Sequence, residues 1–305
     1  MEEDETCLQV YKSKYSKTNK QSTKVLVFDL DETLGSFGEL NILWCAIKHV
    51  RKITPVSSKS EENRDKLMNI DELQREFNEI LDLYPEFLRY GIINILDFLL
   101  QKKLQGVCDK IYIYTNNICK PPWVTFIINY FKYKLDSPIH IFDKAICAFK
   151  INNRVIEINR TSKEKTYSDF IKCTLLPKNT EICFIDNNYY SNMVHDRVYY
   201  IQPVAYYHNL TNVEIIDRFM ISEISSRFSH IFDKTDTFKD FIIDWFDCNN
   251  RNLKIQKIPK SADFDVFVTQ KMMYHIRDFF YCLQRRARTK KNKVVLGRVT
   301  RKRRK

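Results

Sequence analysis

The sequence predicts an α/β protein: a Rossmann-like three-layer sandwich with a mostly parallel central sheet. Strands that are apolar on both faces must be covered by helices on both faces, which is typical of parallel sheets. Three short apolar runs fit this pattern, and each ends in polar residues: 25–28 before Asp29, 111–114 before Thr115, and 182–185 before Asp186. Since ligands bind at the carboxyl ends of such strands, we expect the three polar ends to meet in one site.

The segments before the second core strand are assigned from composition and spacing. Residues 1–23 are polar and rich in Lys, Ser and Thr, which predicts a flexible leader. Apolar residues at helical spacing predict an amphipathic helix over 70–84 that Pro85 ends, and 92–100 form a more apolar helix. Residues 53–66 are polar and are predicted as a loop. A helical insert therefore separates the first two core strands.

The segments after the second core strand carry weaker patterns. Residues 139–149 and 154–158 are predicted as short strands around an Asn152-Asn153 turn, and 198–201 as a fourth core strand. The remaining segments are assigned by the same criteria: helical over 213–248, extended over 249–268 and helical over 271–289. The chain is thus divided into four parts: a leader (1–23), an α/β domain (24–207), a mostly helical extension (208–284) and a basic disordered tail (285–305).

Positive charge is concentrated at the carboxyl terminus. The formal net charge is +12, and residues 285–305 hold twelve Lys and Arg and no acidic residue, so the rest of the chain is formally neutral. We therefore expect the charge to describe a tail and not the reaction. Such a tail suits a nuclear localisation signal, a contact to nucleic-acid phosphates, or a solvated segment without a partner.

The composition also bears on the location of the protein. No apolar run reaches the roughly 18 residues that span a bilayer, so no membrane contact is expected. Nine Cys without a Cys-x-x-Cys pair and an acidic start indicate an intracellular protein, nuclear or cytoplasmic. The abundance of Lys, Asn and Ile with only 5 Gly is typical of AT-rich genomes, among them those of large DNA viruses.

Two carboxylates follow the first core strand. Asp29 and Asp31 are two residues apart, so a strand-like backbone directs both side chains to one side. Converging carboxylates suit Mg²⁺, and a carboxylate can also attack phosphorus while its neighbour serves as general acid and base. The alternative is that both residues only cap the following turn.

The other two strand ends supply complementary groups. Thr115 and Asn116 can donate hydrogen bonds to phosphate oxygens without adding negative charge, as can Asn117. Asp186 and Asn187 offer oxygen ligands that would complete a metal shell. The alternative for both strand ends is an ordinary helix cap.

A phosphate site also needs a fixed cation, and two lysines before the third strand are candidates, Lys163 and Lys165. A lysine on a polar loop is usually only solvated, which is the alternative for both.

These motifs, taken in order, resemble the haloacid dehalogenase superfamily. The segment Phe28-Asp29-Leu30-Asp31-Glu32-Thr33-Leu34 resembles its first motif in the form found in RNA polymerase II carboxy-terminal-domain phosphatases. Three further segments resemble the family and occur in the family's order. Arg89-Tyr90-Gly91 resembles an Arg-Pro-Gly segment, Tyr114-Thr115-Asn116-Asn117 resembles the second motif, and Asp186-Asn187 resembles the fourth. The resemblance covers about residues 24–207. Tyr90 departs from the usual Pro.

The resemblance implies a role for each matched residue. Asp29 would be the nucleophile and a Mg²⁺ ligand, and Asp31 the general acid and base that also offers its backbone carbonyl to the metal. Thr115 would bind phosphate, and Asn187 would be the remaining side-chain ligand with Asp186 beside it. Lys165 matches the third motif better than Lys163, because Lys165-Thr166-Tyr167 resembles the family's Lys-x-apolar pattern.

The function expected from this resemblance is a Mg²⁺-dependent phosphoserine and phosphothreonine protein phosphatase. Its substrate would be a phosphoprotein such as the RNA polymerase II carboxy-terminal domain. One alternative is a nucleic-acid 3′-end phosphatase, which shares the two-Asp motif and suits a basic tail, although such enzymes more often have Gly in place of Glu32. The other alternative is a scaffold that binds a phosphoprotein without hydrolysing it.

Overall fold

A computed structural model describes most of the chain. The described residues are 7–12, 15, 22–53, 70–118, 121–229, 231–232, 235–250 and 260–301. The loop predicted over 53–66 lies, except for residue 53, outside these residues. The same holds for residues 302–305 of the tail and for most of 249–259.

A six-stranded sheet forms the centre of the fold, in the order β1-β8-β7-β2-β3-β4. In chain order, its strands are β1 (Leu8–Tyr11), β2 (Lys24–Phe28), β3 (Lys110–Tyr114), β4 (Lys144–Ile146), β7 (Glu181–Ile185) and β8 (Val198–Pro203). All neighbours pair in parallel except β1, which is antiparallel to β8. The four core strands predicted from the sequence are confirmed, and so is the parallel sheet.

Both faces of the sheet are buried, which explains the continuously apolar strands. In β2, Leu26 and Phe28 belong to the larger core on one face, and Val25 and Val27 to a smaller core on the other face. Side chains alternate between faces along a strand, so a strand covered on both sides has no polar position. The predicted three-layer α/β sandwich is therefore confirmed.

Nine α-helices occur in the described part of the chain. They are α1 (Gly38–Ile53), α2 (Ile70–Leu83), α3 (Ile92–Leu104), α4 (Pro121–Lys134), α5 (Tyr167–Thr174), α6 (Asn212–Met220), α7 (Glu223–Ser229), α8 (Thr235–Asn250) and α9 (Ala262–Arg301). Short 3₁₀ helices lie at Pro85–Phe87 and Ser191–Met193. Helices α1 to α3 form the predicted insert between β2 and β3, and α6 to α9 form the predicted helical extension. None of the helices in the described ranges is long and apolar enough to cross a membrane.

The amino-terminal leader is more ordered than the sequence suggests. Leu8–Tyr11 forms the edge strand β1, and Cys7 beside it is buried. A four-residue edge strand between polar segments carries almost no periodic signal, and its stability comes from pairing with β8. The prediction of a flexible leader was therefore wrong for residues 8–11.

The strands predicted around the Asn152-Asn153 turn are only partly correct. Asn152 and Asn153 both have positive φ, at 47° and 62°, and connect the hairpin β5 (Lys150–Ile151) and β6 (Arg154–Val155). Asn tolerates this conformation, which a tight hairpin turn requires. Of the strand predicted over 139–149, residues 144–146 do form a strand, β4, but it pairs with β3 in the main sheet and not with β6.

The carboxyl-terminal segment is helical for longer than predicted. Helix α9 begins at Ala262, within the segment predicted as extended, and its backbone continues to Arg301 through most of the tail predicted as disordered. Lys and Arg are good helix formers, so a basic composition does not exclude a helix. The prediction of an extended segment was therefore wrong for 262–268.

Candidate active site

The carboxyl ends of three neighbouring strands meet in one cavity. Strand β2 lies between β3 and β7. After β2 the chain first forms β3 and β4 on one side of it, and later forms β7 and β8 on the other side. Ligands of open α/β sheets bind at such a change of direction. The cavity, of about 300 Å³, is lined by residues from all three strand ends and the loops that follow: Asp29, Asp31, Glu32, Thr115, Asn116, Asn117, Ile118, Lys165, Asn188 and Tyr190.

Lys165 lies between two buried carboxylates and forms with them what we call the inner triad. Its Nζ is 2.5 Å from Asp29 Oδ1 and 2.6 Å from Asp186 Oδ2, and its side chain is 1% exposed. Burial alone lowers the pKa of Lys165, but the charges of Asp29 and Asp186 offset this and raise it. Lys165 therefore stays cationic, and one positive charge is shared by two carboxylates.

The local sequence fixes Lys165 at the start of α5. Thr166 caps this helix, since its Oγ1 accepts a hydrogen bond from the amide of Asp169 at 3.0 Å. Lys163, the alternative phosphate lysine, is exposed. Its carbonyl oxygen accepts a hydrogen bond from Arg160, and Lys165, not Lys163, lines the cavity.

Asp31 is half-buried in the wall of the cavity. Burial and the nearby charge of Asp29 raise its pKa to about 7, although a hydrogen bond from Asn117 Nδ2 at 2.7 Å favours the charged form. A carboxyl group with this pKa can release or take up a proton near neutral pH.

The loop after β3 is held from behind by a buried guanidinium. Arg160 is 2% exposed and donates to the carbonyl oxygen of Thr115 at 3.0 Å and to Asn116 Oδ1 at 2.7 Å. Asn116 Nδ2 in turn donates to the hydroxyl of Tyr190 at 3.2 Å. Thr115 is fully buried, and its Oγ1 accepts from the amide of Asn117. The polar groups predicted at this strand end therefore converge on the cavity.

Asp186 and Asn187 were both expected to ligate a metal, but Asp186 is paired with Lys165 instead. Asp186 is fully buried, one carboxylate oxygen contacts Lys165, and the other accepts from the amide of Asn188 at 2.9 Å. Burial raises its pKa and Lys165 partly offsets this. A carboxylate at this depth needs a cationic partner, and that requirement places Asp186 on Lys165 and not in the wall of the cavity.

Asn187 hydrogen-bonds with residues that follow the first core strand. Its Oδ1 accepts from Thr33 Oγ1 at 3.0 Å, and its Nδ2 donates to Glu32 Oε2 at 3.0 Å. The motif after β7 is therefore attached directly to the motif after β2, as expected if the two act together.

Several residues of the site had no role assigned from the sequence. Glu32, Asn188 and Tyr190 line the cavity, and Arg160 supports it. Glu32 stands inside the first motif, so its position could have indicated a role. Arg160 carries little local signal, because three of its four side-chain hydrogen-bond acceptors are 13 to 45 residues away along the chain.

The chemistry of the donor set fits Mg²⁺. Among the described residues there is no group of three or more His, Cys, Asp or Glu side chains arranged to hold a metal. However, the side chains of the cavity offer carboxylate and amide oxygens, which are the hard ligands that Mg²⁺ takes, usually with several waters. Three carboxylates and one ammonium group line the cavity, so a bound phosphate would also require an additional cation.

No protein-family model matches the chain, and no curated protein matches it.

Proposed function

We propose that this protein is a Mg²⁺-dependent phosphoric monoester hydrolase that acts on phosphoserine and phosphothreonine of proteins. The observation that carries the proposal is the convergence in one cavity of Asp29 and Asp31 after β2, Thr115 after β3 and Lys165 before α5. This combination provides a nucleophile, a proton carrier, a phosphate-binding hydroxyl and a fixed cation, which are the parts that phosphoryl transfer to a carboxylate requires. A capped turn alone needs only Asp29 and Asp31.

Two displacements at phosphorus would complete the reaction. In the first, a carboxylate oxygen of Asp29 forms a bond to phosphorus, the bond to the substrate oxygen breaks, and Asp31 gives its proton to the leaving alkoxide. In the second, Asp31 takes a proton from water, whose oxygen attacks phosphorus and releases Asp29 and inorganic phosphate. Lys165 and Thr115 would stabilise the phosphoryl oxygens in both steps.

By the resemblance, the groups that would hold Mg²⁺ are the Asp29 carboxylate, the backbone carbonyl of Asp31 and Asn187. Asp29 and Asp31 line the cavity, and the side chain of Asn187 is hydrogen-bonded to Thr33 and Glu32. The ion would supply positive charge that offsets the excess of carboxylates and draws the phosphoryl group toward Asp29. Asp186 would act on the reaction through Lys165, which it holds in place.

The substrate class rests on the first motif, which resembles that of RNA polymerase II carboxy-terminal-domain phosphatases. We therefore propose a phosphoprotein as substrate, with that domain as the first to test and the nucleus as the compartment where they would meet. The basic segment 285–305 is proposed as the address for that compartment or as a contact to nucleic acid.

The nucleophile is tested on a small phosphoester. With the full chain, Mg²⁺ and p-nitrophenyl phosphate, we expect Asp29→Asn to lower turnover by about 1,000-fold or more, because it removes the attacking carboxylate. The matched control is Asp97→Asn, which changes an exposed carboxylate on α3. Circular dichroism of both variants verifies folding. Turnover by Asp29→Asn equal to that of the wild type would refute the proposal.

The substrate class is tested by comparing the hydrolysis of two kinds of phosphoester. Turnover of phosphoserine peptides is compared with turnover of 3′-phosphorylated DNA under the same conditions. We expect hydrolysis of the peptides. Exclusive activity on DNA would identify a nucleic-acid end phosphatase, and tight binding of phosphopeptides without hydrolysis would identify a scaffold.

A further inference from the structure

Tyr190 lies in the wall of the cavity beside the inner triad. Its ring centroid is 5.4 Å from Lys165 Nζ, and both residues line the cavity. Burial raises the pKa of Tyr190 above its ordinary value, although the charge of Lys165 opposes this. The hydroxyl therefore keeps its proton at neutral pH and can donate a hydrogen bond. The two displacements described above make no use of this donor.

A chain of hydrogen bonds limits what the Tyr190 hydroxyl can do. A guanidinium only donates, so the Asn116 atom 2.7 Å from Arg160 Nη2 must be the carbonyl oxygen Oδ1. The NH₂ group of Asn116 is then on the other side of the amide, 3.2 Å from Tyr190 Oη, where it also only donates. The Tyr190 oxygen therefore accepts from Asn116. Its single proton is accepted by no group within the described ranges and is available to a ligand in the cavity.

The guanidinium at the start of this chain is fixed by the backbone. Arg160 is 2% exposed, and its other hydrogen bonds go to three carbonyl oxygens, those of Thr115 at 3.0 Å, Cys147 at 2.8 Å and Lys163 at 3.1 Å. Rotating the guanidinium away would leave buried polar groups without partners, which is costly. The orientation of the Asn116 amide is therefore set by the fold and not by the ligand.

We propose that Tyr190 is a phosphate-binding residue whose hydroxyl donates to an oxygen of the phosphoryl group, and that Asn116 and Arg160 are positioning residues that direct its proton into the cavity. This inference rests on the function proposed above. A hydroxyl suits this place because it donates to phosphate without adding negative charge to a cavity that three carboxylates already line. Asn116, expected from the sequence to bind phosphate directly, would act on it through the tyrosine.

The first test removes the hydroxyl alone. For full-length Tyr190→Phe with Mg²⁺, the affinity for inorganic phosphate is measured by calorimetric titration, and kcat/KM is measured with p-nitrophenyl phosphate. We expect both to fall by about tenfold to a hundredfold, because a hydrogen bond to a charged acceptor is lost. Melting temperatures verify folding.

The matched control for Tyr190→Phe is Tyr189→Phe, which removes the hydroxyl of the adjacent, half-exposed tyrosine outside the cavity lining. We expect this variant to stay within about twofold of the wild type in both measurements. Equal values for the two variants would overturn the role of Tyr190.

The second test asks whether Asn116 directs the proton. Asn116→Asp keeps an acceptor for Arg160 but places another acceptor in front of Tyr190, so the tyrosine proton turns toward it and away from the cavity. The added charge repels phosphate in the wild type and in Tyr190→Phe alike. Asn116→Asp should therefore weaken phosphate binding about tenfold more in the wild type than in Tyr190→Phe. Equal effects in the two backgrounds would overturn the positioning role.

Failure of this inference is distinguishable from failure of the proposed function. A wild-type chain that neither binds inorganic phosphate nor hydrolyses p-nitrophenyl phosphate overturns both. A wild-type chain that hydrolyses the ester, with Tyr190→Phe equal to Tyr189→Phe, overturns only the role of Tyr190. A wild-type chain that binds phosphate without hydrolysing the ester, with weaker binding in Tyr190→Phe, supports the role of Tyr190 and overturns the hydrolase.

Discussion

The two ends of the sheet each carry a cluster of three charged side chains, and the two clusters have opposite net charge. At the carboxyl ends of the strands, the inner triad has one ammonium group, Lys165, between two carboxylates and is almost completely buried. At the amino ends, Asp143 lies between Lys103 and Lys110, which we call the outer triad, and the Lys110 side chain is 50% exposed. Asp143 also accepts from the amide of Ile111 at 2.9 Å, so it ties the start of β3 to the segment before β4.

The difference supports assigning the proposed reaction to the carboxyl end of the sheet. The outer triad has an excess of positive charge, and its Lys110 side chain reaches the surface, where water screens the charge. The hydrogen bonds of the outer triad complete the strand ends. The inner triad keeps an excess of negative charge away from water, beside a cavity, where such a charge is costly unless a ligand offsets it. A stability requirement alone would not produce the second arrangement.

The largest expected effect is on the inner triad. Lys165→Met leaves Asp29 and Asp186 buried without their cation, so we expect the free energy of unfolding to fall by about 3 to 5 kcal/mol near neutral pH. The deficit should shrink as the pH falls, because both carboxylates can then be protonated. Urea denaturation at two pH values measures this change.

The matched control for Lys165→Met is Lys163→Met, an exposed lysine two residues earlier, for which we expect a change within about 0.5 kcal/mol. If Lys165→Met and Lys163→Met lowered the free energy of unfolding equally, burial of Lys165 between two carboxylates would not be the cause of the loss.

An intermediate effect is expected for a buried cation without a carboxylate partner in hydrogen-bond contact. Arg89 is 1% exposed and donates to carbonyl oxygens of Glu32, Thr33 and Val204. Arg89→Lys keeps the charge but loses the planar fork, so at least one buried carbonyl is left without a donor, at a cost of about 1 to 3 kcal/mol. Thermal denaturation measures this loss.

The exposed Arg154→Lys on β6 serves as the control for Arg89→Lys and should leave stability unchanged. Wild-type stability of Arg89→Lys would mean that charge alone, without the fork, holds these loops together.

The smallest effect is expected at the outer triad. Burial alone raises the pKa of Asp143, but hydrogen bonds from Lys103, the Ile111 amide and Lys110 lower it below its ordinary value. A carboxyl whose pKa is lower in the folded protein stabilises it above the unfolded pKa, and this contribution is lost as the pH falls through the folded value. We therefore expect Asp143→Asn to cost about 1 kcal/mol near neutral pH and nothing in strong acid. Urea denaturation of this variant and the wild type across the acid range tests this, and a constant difference would contradict it.

The sequence by itself determined the core of the fold. A continuously apolar strand such as 182–185 is typical of a parallel sheet that helices cover on both faces. This local pattern predicted the parallel sheet, and with it that Asp29 and Thr115 lie close together at the carboxyl ends of their strands. Helices α2 and α3 were predicted because their apolar spacing is also a local property. Edge strand β1 was missed, since its pairing partner β8 is distant in the chain.

Only the tertiary structure decided how the polar groups of the site divide their roles. The choice between Lys163 and Lys165, the pairing of Asp186 with Lys165, and the contact of Glu32 with Asn187 each depend on distances between residues that are far apart in the sequence. Burial sets these roles: a charge removed from water must be matched by the nearest opposite charge or hydrogen bond, and which group is nearest is a property of the folded chain.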